Sequence, residues 1–238
     1  MNQLDLTTEQ HRLVDTGRVL LVDKRSEEIP ESERNAVWRG FGGNFGNKGL
    51  ACTILRDDGI VLIVTEGDVE PEVMRHEFIH AAQCFASEEV MQTALDTAAA
   101  VGEALVVALR EVVAAHPELE HSHRDLSRTE AQWRMQAAGS AIVAPFPTFQ
   151  LYQDLYPTKE TAAIATEVLG FDYKQGAYAA MTAFIARESG YKVDPASSLG
   201  RELVAYTFEQ LDHDAIDALM SNGAASLELA AAEVSRSY

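Results

Sequence analysis

Cysteine is nearly absent from this 238-residue chain: Cys52 and Cys84 are the only two, too few for a disulfide framework. Their separation fits no CxxC metal or redox motif, so two free thiols in a reducing compartment are expected. Basic residues are also scarce. Nineteen Lys and Arg face 37 Asp and Glu, a formal net charge of -18. Such a surface repels phosphate backbones, and no Lys/Arg-rich run offsets the repulsion locally, so nucleic acid is excluded as an expected partner. A long apolar run is missing too. The most apolar stretch, Ala98 to Leu109, is flanked or interrupted by Asp96, Glu103, Arg110 and Glu111, and reads as too short and too charged to span a bilayer. The opening MNQLDLTTEQHRLVD has no basic segment followed by an apolar one, so no signal peptide is read there. A soluble, cytoplasmic protein with no membrane partner is expected. The glycine-rich GFGGNFG from Gly40 matches neither a P-loop nor a dinucleotide fingerprint and reads as a flexible loop beside a cleft.

What is present suits a globular protein able to bury a sizeable core: 47% apolar and 24% charged residues. The first third reads as mixed α/β. Thr7 to Asp15 is a short helix capped by Thr7 or Thr8, Arg18 to Asp23 a strand, and Glu27 to Glu33 a polar loop. Leu50 to Arg56 and Ile60 to Thr65 flank Asp57-Asp58-Gly59, which predicts a hairpin. Pro71, with Glu70 and Glu72 beside it, predicts a helix start, and that helix runs to about Ala86. The rest reads as helical: Glu88 to Ala115 as one or two helices, then Ser127 to Val143, Lys159 to Leu169, Gln175 to Glu188, Ala196 to Leu211, Asp214 to Met220 and Ala224 to Ser235.

The motif with chemistry is His76-Glu77-Phe78-Ile79-His80, an HExxH. Residues four apart lie nearly above one another on a helix, so two imidazoles can converge on one metal. The intervening Glu77 can then reach a water on that metal without itself being a ligand, and serve as general base. This is the helical zinc-protease signature. It arises by accident in about one or two chains in a hundred of this composition. The bland alternative is a surface histidine pair around a helix-favouring Glu.

Catalytic zinc usually takes three protein ligands. The metzincin continuation would need Gly and His where this chain has Gln83 and Ala86, which eliminates it. A glutamate on a later helix remains, and Glu202 is the best candidate, with Ala205 allowing close helix packing. Glu130 and Glu209 stay open as competitors. His121 and His123 could also bind metal, though solvated loop histidines are the commoner case. Tyr206, one turn after Glu202, is either a cleft phenol able to stabilise an oxyanion or a core tyrosine with a satisfied hydroxyl. Arg187, His213 and Tyr178 are further long shots.

RHEFIHAAQ followed by RELVAY resembles the gluzincin-type zinc metallopeptidases. The resemblance covers about Gly49 to Phe85 and the short segment around Glu202. It implies His76, His80 and Glu202 as zinc ligands and Glu77 as base. It also implies that the strand Ile60 to Val64 is the edge strand pairing with an extended substrate. The implied fold is α+β: a zincin-like lobe over 1–87 and a helical lobe over 88–238 that supplies the third ligand, together forming one catalytic unit. The implied activity is hydrolysis of a peptide or related amide bond, with Zn2+ as cofactor and a protein or peptide as partner. Two other classes compete. Glu77-xx-His80 is half of a di-iron signature, for which Glu118-xx-His121 or Glu120-xx-His123 would be the second half. A non-enzymatic interaction protein with a zincin-like metal site is the third.

Overall fold

The computed structural model describes residues 7–41, 50–115, 175–188, 190, 192–209, 211 and 217. Helix α1 (Thr8–Asp15) begins with a reciprocal capping box: the Thr7 hydroxyl accepts from the Gln10 amide, and the Gln10 side chain accepts from the Thr7 amide. Strand β1 (Val19–Asp23) follows. The expected polar loop over Glu27 to Glu33 is shorter than that, because helix α2 (Glu31–Phe41) starts inside it. Pro30 just precedes its first turn, and Glu31 and Glu33 complement its positive end. Gly40, read as loop, belongs to this helix; residues 42–49 lie outside the described residues.

The hairpin forms as expected. Strands β2 (Leu50–Leu55) and β3 (Val61–Glu66) pair antiparallel, and the turn between them closes with Gly59 at φ +81, a conformation glycine adopts without strain. Among the described residues the sheet is three-stranded and mixed, in the order β1-β3-β2, with β1 parallel to β3. This order corrects one expectation. The strand at Ile60 to Val64 is not an edge; β3 is central, and β1 and β2 are the edges among the described residues. The physical reason is visible in the sequence of β3, a continuous apolar run, which suits a strand covered on both faces. Val61, Leu62, Ile63 and Val64 are all fully buried. Val61 and Ile63 enter the main core; Leu62 and Val64 enter a second, smaller one with Ile29 and Val37.

The remaining described elements are helices: α3 (Pro71–Gln83), α4 (Glu88–Ala115), α5 (Gln175–Glu188) and α6 (Ser198–Phe208). Helix α3 has Pro71 in its first turn and ends at Gln83, short of Ala86, capped by Cys84. Helix α4 is one continuous helix. Over Glu88–Val112 it is long and apolar enough by composition to cross a membrane, contrary to expectation, but 61% of its most apolar window is buried inside the chain. It packs along α5, where Gly102 lets the Ala180 carbonyl approach so closely that a Cβ would sit 2.0 Å from it. The main apolar core runs from α1 and the sheet through α3 and α4 to α5 and α6. The architecture is α+β. The expected helices at Ser127 to Val143, Lys159 to Leu169 and Ala224 to Ser235 lie outside the described residues. So does Asp214 to Met220 apart from Asp217, whose carboxylate accepts from the Glu9 amide at 3.4 Å.

Candidate metal centre

Helix α3 lies between β2 and α6. Met74, Phe78, Ile79, Ala81 and Ala82 are buried, and they fix which side of the helix faces the core. The helical repeat then puts His76, Glu77 and His80 along a cleft of about 820 Å³. Strand β2 forms one wall with Cys52, Thr53 and Leu55. Helix α6 and the residues flanking it form the other with Arg201, Glu202, Tyr206 and Glu209.

His76 Nε2 and His80 Nε2 lie 3.0 Å apart. Glu202 closes the triangle, with one oxygen 3.4 Å from His76 Nε2 and the other 3.5 Å from His80 Nε2. Among the described residues, these three offer donor atoms all within 4.8 Å of one another. In a tetrahedral site with bonds of about 2.0–2.2 Å, donor atoms stand roughly 3.3 Å apart. The triangle has that size. Two imidazole lone pairs at 3.0 Å also repel unless a cation lies between them, and both imidazoles are turned this way by specific partners.

Those partners act on the far ring nitrogens. Glu209 Oε2 is 3.0 Å from His76 Nδ1, and Gln83 Oε1 is 2.9 Å from His80 Nδ1. The Gln83 amide nitrogen donates to the Arg201 carbonyl at 2.9 Å, which sets its oxygen toward His80. Each imidazole thus donates from Nδ1, which leaves Nε2 as the nitrogen aimed into the triangle. Glu209 had been a competitor for the third ligand; its carboxylate instead engages the outer nitrogen of His76.

The cluster is strongly coupled electrostatically. Burial pushes the His76 pKa down, but hydrogen bonds to Glu202 and Glu209 and the charges of Glu209 and Glu77 outweigh it and hold the pKa up at about 9. Burial works against the Glu202 charge as well, and the two imidazoles outweigh it, holding this carboxyl down at about 2. A cation, proton or metal, is what this set of groups favours.

Glu77 is 7% exposed, and its Oε2 sits 2.7 Å from the Thr53 hydroxyl on β2. The same hydroxyl lies 3.0 Å from the Glu77 carbonyl. Tyr206 packs its ring on His76, centroids 4.3 Å apart and tilted by 47°. It lines the cleft while its body meets the main core. Burial, reinforced by the Glu77 charge, pushes the Cys52 thiol up to about 12, so Cys52 stays a neutral thiol. The Cys84 thiol is likewise raised by burial, with the Arg201 charge pulling against it.

The other candidates do not join this group. Arg187 pairs with Glu103 of α4 at 2.7 Å and does not line this cleft. Glu130, His121, His123, His213, both candidate second halves of a di-iron signature and the Tyr178 side chain lie outside the described residues. Sequence reasoning missed Thr53, for which no spacing signal exists, and the orienting part of Gln83, three residues after His80. Comparison with protein-family models, curated proteins and solved structures yields no match.

Proposed function

We propose that this protein is a zinc-dependent hydrolase with a gluzincin-type site on a zincin-like fold, cleaving a peptide or related amide bond. The observation that carries the reading is the His76, His80, Glu202 triangle, with Glu209 and Gln83 on the outer nitrogens. Two imidazoles and a carboxylate suit zinc better than a hard cation that prefers oxygen alone, and three ligands match catalytic rather than structural sites. Held by His76, His80 and Glu202, zinc would supply Lewis acidity for activating a water and polarising a substrate carbonyl.

The chain's own groups divide the remaining work. Thr53 occupies one oxygen of Glu77 and leaves the other for the attacking water. Glu77 takes a proton from that water and passes it to the departing nitrogen. The Tyr206 phenol, beside His76, supplies a donor for negative charge developing on the carbonyl oxygen. Strand β2, an edge strand among the described residues that also lines the cleft, offers its free backbone groups to an extended substrate.

The test pairs metal analysis with a mixed peptide digest. One zinc per chain and cleavage that Glu77→Gln abolishes without loss of zinc are expected. Zinc well below half an equivalent in carefully prepared protein, or full cleavage by Glu77→Gln, contradicts the reading.

A further inference from the structure

Arg201 is the one Lys or Arg among the cleft-lining residues described, in a cleft that also carries Glu72, Glu77, Glu202 and Glu209. Its backbone is fixed: the carbonyl accepts from Gln83 and the amide bonds to the Ser197 carbonyl at 3.0 Å. Its guanidinium makes no hydrogen bond or ion pair with any described residue, and its charge acts on Cys84, which lines the cleft just beyond His80. The adjacent Glu202 carboxylate does not neutralise it, because both of its oxygens face the imidazoles. A partly buried arginine lining the same cleft as His76, His80 and Glu202, in a chain of net charge -18, is a specific departure from the surrounding sign. A guanidinium presents a planar fork that matches a carboxylate.

We infer that Arg201 recognises a carboxylate on the substrate, so the cleft selects peptides that present a free C-terminus or an acidic side chain on the His80 side of the scissile bond. The hydrolysis test rests on the function proposed above; a binding test does not. The probes are acetylated pentapeptides of one apolar sequence: with a free C-terminus, amidated, amidated with one Glu, and amidated with Gln in its place. With zinc-loaded full-length protein, kcat/KM for a carboxylate peptide should exceed that of its neutral partner by about 10- to 100-fold. Arg201→Ala should collapse that ratio toward one, and Arg201→Lys, which keeps the charge and loses the fork, should retain part of it. Preference for the free C-terminus identifies an exopeptidase; preference for internal Glu identifies acidic side-chain recognition. In metal-free protein, titration calorimetry should show the same carboxylate preference in Kd, lost in Arg201→Ala. Equal wild-type binding of the carboxylate and neutral peptides, or an undiminished preference in folded Arg201→Ala, overturns the inference. If wild type cleaves none of the peptides, the hydrolase reading fails and calorimetry alone decides the role of Arg201.

Discussion

Helices α3 and α6 both line the cleft, but they hold their polar side chains there by different means. Helix α3 places His76, Glu77 and His80 within little more than one turn, so their relation is set by helical pitch. Its buried Phe78 and Ile79 only have to lock the helix against the core. Helix α6 places Glu202 and Tyr206, with Glu209 at its C-terminal cap, along two turns, and their distance from the imidazoles depends on where the whole helix sits. That position is fixed by buried Leu203, Val204, Ala205, Thr207 and Phe208 packing toward α5 and α4. It is also fixed by Gly200, where an added Cβ would lie 2.4 Å from the Asp194 carbonyl. The mutual geometry of His76, Glu77 and His80 should therefore survive changes that displace α6, whereas the approach of Glu202 to the imidazoles should not.

On the proposed function, the largest expected effect separates the proposed base from the proposed ligands on α3 itself. Glu77→Gln should lower kcat/KM by about 100- to 10,000-fold while zinc content, measured by mass spectrometry, stays at one per chain. Next comes the α6 side of the triangle. Glu202→Ala should weaken zinc by more than about 100-fold in chelator competition, exceeding the loss usual for an outer partner, and leave helix content unchanged by circular dichroism. Glu209→Gln removes the carboxylate behind His76 and should weaken zinc by about 10- to 100-fold. A larger loss than that of Glu202→Ala would exchange the two residues' roles. Gly200→Ala should destabilise the fold by about 1–3 kcal/mol through overpacking and weaken zinc as α6 shifts, with the HExxH turn of α3 intact.

The smallest effect is the pH dependence of the metal-free protein. His76 has a raised pKa, so its contribution to stability is full below about pH 6.5 and is lost as pH rises through about 9. Glu202 has a lowered pKa, so its contribution is present above about pH 4.5 and is lost as pH falls through about 2. The melting temperature of chelated protein should decline between pH 6.5 and 9, and Glu209→Gln should flatten that decline. Because zinc must displace the proton held by His76, zinc affinity should rise over the same interval.

The same contrast governs how much was legible in the amino-acid order. His76, Glu77 and His80 could be read directly, because the helix repeat converts their spacing into geometry. The N-cap at Thr7, the hairpin at Asp57-Asp58-Gly59 and the start of α3 are equally local, and all are present. Glu202 could only be ranked above Glu130 and Glu209, since nothing local fixes how α6 meets α3. The part played by Glu209 and the Thr53 bond to Glu77 depend on contacts across 133 and 24 residues, which no spacing encodes. Helix α2 was passed over because its polar first turn, EEIPESE in context, looks like a loop until Val37 is seen packing under the sheet. The edge strand was misassigned because hairpin order says nothing of where β1 docks. It docks on β3, so β2 is left at the edge.

The most direct test of the account is the location of zinc in a crystal of the full chain, from anomalous diffraction at the zinc edge. One ion bound by His76 Nε2, His80 Nε2 and a Glu202 oxygen, with Glu209 still on His76 Nδ1, is the predicted result. An ion bound elsewhere, a third ligand other than Glu202, or no zinc peak between α3 and α6 would contradict it.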